Sequence, residues 1–165
     1  MLKVADLRVI ASSKNDVNMK QYLNGLGILT LRDREIQGIK NLVANFTDPT
    51  INLRYFYIGY RVPKISREFD LLIFSQQYDV INIELKSNIN YAKEKIKKQL
   101  INNKYYLSTI ARSVKSVTYN SDLNTFYTLT DKNELIKVSI TDVNAMLVAF
   151  NSVDIGDLDN LFKPE

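Results

Sequence analysis

The residues of this chain best suited to chemistry lie in one stretch, Arg67 to Lys86, with the sequence REFDLLIFSQQYDVINIELK. FDLLIF and YDVINIELK are rich in Ile, Leu, Val and aromatic side chains, and the polar SQQYD between them is a turn, so the stretch reads as a β-hairpin. A turn centred on Gln77 sets position 72 opposite 82, 70 opposite 84 and 68 opposite 86. Strand side chains alternate between faces, which puts Glu68, Asp70, Glu84 and Lys86 together on one of them. Opposed Cβ atoms in an antiparallel pair lie about 4.5 to 5.5 Å apart, close enough for Asp70 and Glu84 to hold one cation between them and, without it, to repel. Paired carboxylates suit a hard cation such as Mg²⁺ or Mn²⁺, which keeps several waters and can present one as a nucleophile. The ammonium of Lys86 adds positive charge where negative charge develops on a phosphate. The chemistry open to these groups is metal-assisted hydrolysis.

Composition narrows the choice further. The 165 residues include no Cys and no His, which excludes thiolate catalysis, Ser-His triads, HNH-type sites and Cys/His zinc sites. With 45% apolar and 24% charged residues the chain has a globular composition, and its length suits one domain spanning residues 1–165. No stretch reaches the roughly 18 apolar residues of a membrane span, and MLKVADLRVIASSKND lacks a basic segment followed by a long apolar run. A cytoplasmic protein without a membrane partner is expected. The net charge of +4 is uneven: residues 61–120 carry 11 Lys/Arg against 5 Asp/Glu, and residues 121–165 carry 3 against 8. A basic centre of +6 around paired carboxylates favours a polyanion such as DNA, because lysines neutralise phosphates and release counterions.

The elements that must position these groups follow from periodicity. Residues 2–11 read as a strand, and Ser12 or Ser13 as the cap of a short helix from Asn15 to Leu26. A helix from Asp33 to Phe46 carries Leu31, Ile39, Leu42 and Phe46 in one stripe, and Glu35 falls within it, aimed at the core side. Leu53 to Val62 is an aromatic strand in which Gly59 marks a bulge or a close backbone approach. The hairpin's odd positions, Phe69, Leu71, Ile73, Ile81, Ile83 and Leu85, form an apolar face for a helix, leaving the other face for chemistry. Asn88 or Asn90 opens a long helix with Ala92, Ile96, Leu100, Leu107 and Ile110 in register and Lys93, Lys95, Lys97 and Lys98 near its start. VKSVTY, TFYTLT and LIKVSI read as strands, and Thr141 with Asp142 opens a helix through Phe150. The acidic end, DIGDLDNLFKPE, promises no closing structure, as for the N-terminal part of a longer protein.

The order helix, three strands, helix, strand, with Asp70 in REFDLLIF and Glu84-Leu85-Lys86 in INIELKS, resembles the PD-(D/E)XK nuclease superfamily, in particular its helicase-linked members. The resemblance covers about residues 33–130 and implies an α/β, restriction-endonuclease-like fold with a mixed central sheet flanked by helices. It implies that Asp70 and Glu84 bind Mg²⁺ or Mn²⁺, that the Leu85 carbonyl completes the shell, and that Lys86 positions the attacking water or stabilises the phosphate. Glu35 resembles the first-helix acid used as an added metal ligand, and Gln99 in KKQLINNKYYL resembles a glutamine placed beside the site. Phe69 stands where the family's motif has proline, so only the Asp of that half is kept. The function implied is a metal-dependent deoxyribonuclease in a DNA-processing or phage-defence protein, with a helicase or ATPase domain downstream.

Plainer readings stand beside these. Glu68 and Lys86 would form a cross-strand salt bridge, Glu35 would pair with Arg32 or Lys40, and Gln99 would be a polar residue on a helix surface. Lys93 and Lys97 serve as a solvated face that also helps DNA approach. For the whole chain, the alternative is a catalytically inactive nucleic-acid-binding or protein-interaction module on the same fold.

Overall fold

The hairpin forms, and a sheet grows on both sides of it. A computed structural model describes residues 1–162. Its strands are β1 (Tyr57–Arg61), β2 (Glu68–Ser75), β3 (Asp79–Lys86), β4 (Ser113–Asn120), β5 (Thr125–Leu129), β6 (Leu135–Val138) and β7 (Ser152–Val153). The helices are α1 (Leu7–Ser12), α2 (Asp16–Gly25), α3 (Asp33–Ala44), α4 (Lys93–Leu107), α5 (Ile140–Val148) and α6 (Leu158–Leu161). The seven-stranded sheet runs β1-β2-β3-β4-β5-β6, with β7 also paired to β2. Only β3 and β4 are parallel, and α4 is the crossover between them; every other pair is antiparallel. This is a mixed α/β fold. Among the described residues no helix is long and apolar enough to cross a membrane.

The β2–β3 register is the expected one, with Leu72 opposite Asn82 and Ile73 opposite Ile81. Tyr78, at a φ of 64°, closes the turn, and its N–H donates to the Ser75 carbonyl at 3.0 Å. The expectation of one free face is corrected: both faces of the hairpin are covered. Leu71, Ile73, Ile81 and Ile83 pack with Leu7 and Ile10 of α1 and Ile39 and Leu42 of α3. On the other side, Leu72, Phe74 and Val80 pack with Leu107 of α4 and with Leu158 and Phe162. A parallel crossover lays its helix on a sheet face, so strands beside it are buried on both sides and read as near-continuous apolar runs. Asp70, Glu84 and Lys86 lie toward the end of the hairpin away from its turn.

A second correction concerns Phe69, which lies with Tyr60 and Leu72 and not with Leu71. The cause is a paired kink. The β1–β2 ladder joins Ile58 to Leu71 and Tyr60 to Phe69, skipping Gly59 and Asp70 between them. Gly59 has a φ of +65°, which a glycine adopts without the Cβ clash other residues meet. The twist brings Tyr57 and Tyr60, three residues apart, onto one face of β1.

Other boundaries shift for local reasons. Residues 2–11 are not a strand: only Ala5 pairs, with Phe56, and Asp6 then caps α1 by accepting from the Arg8 N–H at 2.8 Å. Asn15, in place of Ser12 or Ser13, caps α2 through the N–H groups of Val17 and Asn18. Ser139 caps α5, accepting from the Asp142 N–H at 3.1 Å, two residues before Thr141. The acidic tail docks after all. β7 pairs with the end of β2, and the hydroxyls of Tyr57 and Tyr60 donate to the Gly156 carbonyl at 2.8 Å and to Asp159 at 2.9 Å. Lys163, Pro164 and Glu165, on which the unclosed ending was read, lie outside the described residues.

Candidate active site

Beyond Leu71 and Ile83 the backbone ladder of the hairpin stops, and two side chains replace it. The Asp70 N–H donates to Glu84 Oε2 at 2.8 Å, and the Leu85 N–H donates to Asp70 Oδ2 at 2.9 Å. Each carboxylate thus holds the backbone of the opposite strand, and the expected convergence of Asp70 and Glu84 is met. A strand residue presents its N–H and C=O to the same neighbour, so the Leu85 carbonyl lies on the Asp70 side. The Lys86 carbonyl lies on the β4 side and accepts from the Ser121 N–H at 2.8 Å.

Glu84 is 1% exposed, beneath α4. Its Oε1 accepts from Gln99 Nε2 at 2.9 Å and its Oε2 from Asn82 Nδ2 at 3.0 Å. Burial, and then the neighbouring charge of Asp70, push the Glu84 carboxyl from 4.5 up to about 8, against the pull of its hydrogen bonds and of Lys86. Asp70 is raised as well, first by burial and further by Glu35 and Glu68, while the Leu85 N–H and the Lys86 ammonium act in the opposite direction. Neither carboxylate has an ion-pair partner among the described residues, whose salt bridges are Arg32–Glu35, Arg61–Glu68 and Arg112–Asp79.

A cleft of about 360 Å³ opens beside the pair, lined by Arg32, Arg34, Glu35, Asp70, Lys86 and Tyr91 among others. Lys86 Nζ lies 5.2 Å from the centre of the Tyr91 ring. Glu35, in the first turn of α3, borders the cleft with its carboxylate tied to Arg32, accepting from Nε at 2.8 Å and from the N–H at 3.3 Å. The pairing of Glu35 with Arg32 is thus observed, and the same carboxylate borders the cleft that Asp70 lines. Gly38, one turn further along α3, packs over Leu85, where a Cβ would make an ordinary contact at 3.9 Å with Leu85 Cδ1. Among the described residues no three His, Cys, Asp or Glu side chains gather closely enough to hold a metal. The donor set on hand is Asp70, Glu84 and the Leu85 carbonyl.

Gln99 is not a plain surface residue; it reaches Glu84 from α4. Glu68 makes a cross-strand bridge, but to Arg61 at 3.0 Å and not to Lys86, because the kink turns the start of β2 toward β1. Lys93 and Lys97 do not enter the cleft. Lys97 borders a separate groove with Glu94, Lys98, Ile101 and Asn102 on the outer side of α4, and the cleft's own cations are Arg32, Arg34 and Lys86.

Sequence reasoning passed over a buried polar seam between α4 and the sheet. Asn82, Glu84 and Lys86 on β3 run beside Ser116, Thr118 and Asn120 on β4 in parallel register. Asn82, Thr118 and Asn103 are all at most 2% exposed. Thr118 Oγ1 and Gln99 Oε1 are buried without a hydrogen-bond partner. The signal was present in the spacing: Asn82 stands two residues before Glu84 in a strand that is otherwise apolar, and Asn103 one helical turn after Gln99. Compared with protein-family models, with curated proteins and with solved structures, the chain matches none of them.

Proposed function

We propose that the chain is a divalent-metal-dependent deoxyribonuclease with a PD-(D/E)XK site on a restriction-endonuclease-like core, hydrolysing DNA phosphodiester bonds in the cytoplasm. The observation that carries this reading is the Asp70–Glu84 pair: a buried carboxylate beside a half-buried one, with Asp70 lining a cleft and neither acid held in a salt bridge among the described residues. Burying like charges together is costly unless a positive charge joins them. The donors are hard oxygens, which suits Mg²⁺ or Mn²⁺. Asp70, Glu84 and the Leu85 carbonyl would hold the ion, and when bound it supplies an activated water and positive charge for the phosphate.

The chain's own groups do the rest. Gln99 and Asn82 hold the Glu84 carboxylate in one orientation. Lys86 sets an ammonium in the cleft, where charge on a non-bridging phosphate oxygen grows during cleavage. Arg32 and Arg34 add positive charge at the cleft wall, and the lysines of α4, Lys93 and Lys97 among them, draw DNA in at longer range. Glu35 serves as an added carboxylate at the rim. A setting within a larger DNA-processing or defence protein, with a helicase or ATPase partner, fits this activity by family analogy.

One observation favours a second reading, an inactive nucleic-acid-binding or protein-interaction module: both Glu84 oxygens already accept hydrogen bonds. The test is cleavage of supercoiled plasmid and labelled oligonucleotides with Mg²⁺ or Mn²⁺ by the wild type, Asp70→Ala and Lys86→Ala. Metal-dependent cleavage that falls by about 10²-fold or more in both variants is expected. Salt-sensitive DNA binding without cleavage, unchanged by Asp70→Ala, would establish the inactive binding module; salt-insensitive association without DNA affinity would establish the protein-interaction module.

A further inference from the structure

The polar seam contains a continuous chain of hydrogen bonds that ends on Glu84. Arg67 Nη1 donates to Asn103 Oδ1 at 3.1 Å, Asn103 Nδ2 donates to Asn82 Oδ1 at 3.1 Å, and Asn82 Nδ2 donates to Glu84 Oε2 at 3.0 Å. All three bonds of the chain point one way, from the guanidinium toward the carboxylate. Asn82, Glu84 and Asn103 are 0%, 1% and 2% exposed, so no water competes for these links. Asn82 Nδ2 also donates to the Leu71 carbonyl at 3.1 Å, which fixes the amide against the last paired residue of β2.

The outer end of the chain is anchored too. The Arg67 guanidinium lies 5.4 Å from the centre of the Tyr106 ring, and Arg67 forms no salt bridge among the described residues. It lines a groove at the β1–β2 connection with Arg61, Lys64 and Ile65. A cation at one end of aligned amide dipoles favours negative charge at the other, and outer hydrogen bonds of this kind set both the orientation and the donor strength of a metal-binding group.

We propose that Arg67, Asn103 and Asn82 are positioning residues that, through the bond to Oε2, fix the orientation of the Glu84 carboxylate toward the divalent ion, with Arg67 as the charged end of the chain. This rests on the metal-site reading given above. Removing the charged end leaves the carboxylate in place but loosens its orientation and weakens its grip on the ion. The loss is read as metal affinity, and saturating metal recovers the cleavage rate.

The test is calorimetric titration of the full chain with Mn²⁺ at fixed pH, with thermal melts to establish folding. The variants are Arg67→Met, Arg67→Lys, Asn103→Leu, Lys64→Met and Asp70→Asn. Arg67→Met and Asn103→Leu should each weaken Mn²⁺ binding about tenfold, with Arg67→Lys recovering part of the loss. Lys64→Met removes a charge from the same groove without touching the chain and should leave affinity unchanged. Arg67 is only partly buried, so Arg67→Met keeps the test alive if Asn103→Leu does not fold. Affinity in Arg67→Met within twofold of the wild type, or an equal loss in Lys64→Met, overturns the positioning role while Asp70→Asn still abolishes binding. A wild type that binds Mn²⁺ no better than Asp70→Asn overturns it in a distinguishable way, because the metal-site reading fails with it.

Discussion

Glu84→Gln should make the metal-free protein more stable and, on the proposed reading, abolish metal-dependent cleavage. The wild-type carboxyl is pushed from 4.5 up to about 8 in the folded state. Between those values the folded protein binds a proton that the unfolded chain has released, so stability falls as pH rises through the window and levels off above it. At pH 7 the penalty is about 3 kcal/mol, from about 1.4 kcal/mol for each unit between 4.5 and 7. Glutamine is neutral in both states and carries no such penalty. Its carbonyl can still accept from Asn82 and the Asp70 N–H, and its amide then faces Gln99. Rotation of the Gln99 amide supplies Oε1, now buried without a partner, as the acceptor. Allowing about 1 kcal/mol for imperfect hydrogen bonding leaves a gain of about 2 kcal/mol, or about 4–8 °C in melting temperature for a chain this long. Melts in a chelator should show the gap between variant and wild type widening from about pH 5 to pH 8. Mg²⁺ should then raise the melting temperature of the wild type alone, by mass action on the folded state. A variant no more stable than the wild type at pH 8, or a gap that does not shrink on acidification, would refute the claim that Glu84 is a strained buried acid.

Two further outcomes test the frame around the site. Gly59→Ala has room for its Cβ, whose nearest neighbour is Glu68 Oε1 at 3.6 Å, so its cost is that of a left-handed alanine, about 1 kcal/mol in a urea melt; an unchanged midpoint would mean the kink does not need that conformation. The Arg112 guanidinium, with the hydroxyls of Ser113 and Ser75, holds the Asp79 carboxyl well below the usual carboxylate range. Its contribution is present above the unfolded pKa and lost as pH falls through the folded one, so the stability difference between wild type and Asp79→Asn should shrink from about pH 5 to pH 2; a constant difference over that range would contradict the ion pair.

Much of this was legible in the residues, because the signals were local. The SQQYD turn and the alternation of FDLLIF against VINIEL set the register that places Asp70 beside Glu84. The 3.6-residue spacing of Ile39 and Leu42 placed α3 on the core, and the lysine-flanked run through Leu107 located α4. What stayed hidden depends on partners far along the chain. Six residues of α1 carry too little periodicity to betray a helix, and DIGDLDNLF looks like an open tail until Tyr57 and Tyr60 offer it hydroxyls. The even face of the hairpin looked available only because nothing in its own residues says that α4 and the tail will cover Leu72 and Phe74.

The displacement of Phe69 and the construction of the site meet in one place. The β1–β2 ladder skips Gly59 and Asp70 and the β2–β3 ladder ends at Leu71 and Ile83, and there the Asp70 and Leu85 N–H groups each donate to a carboxylate of the opposite strand. Those same bonds hold two acids close together where water is scarce, and the charge they cannot neutralise themselves is what the proposed dication would offset. The left-handed Gly59 in the neighbouring strand, beside the unpaired Asp70, therefore belongs to the frame that sets where the two acids meet.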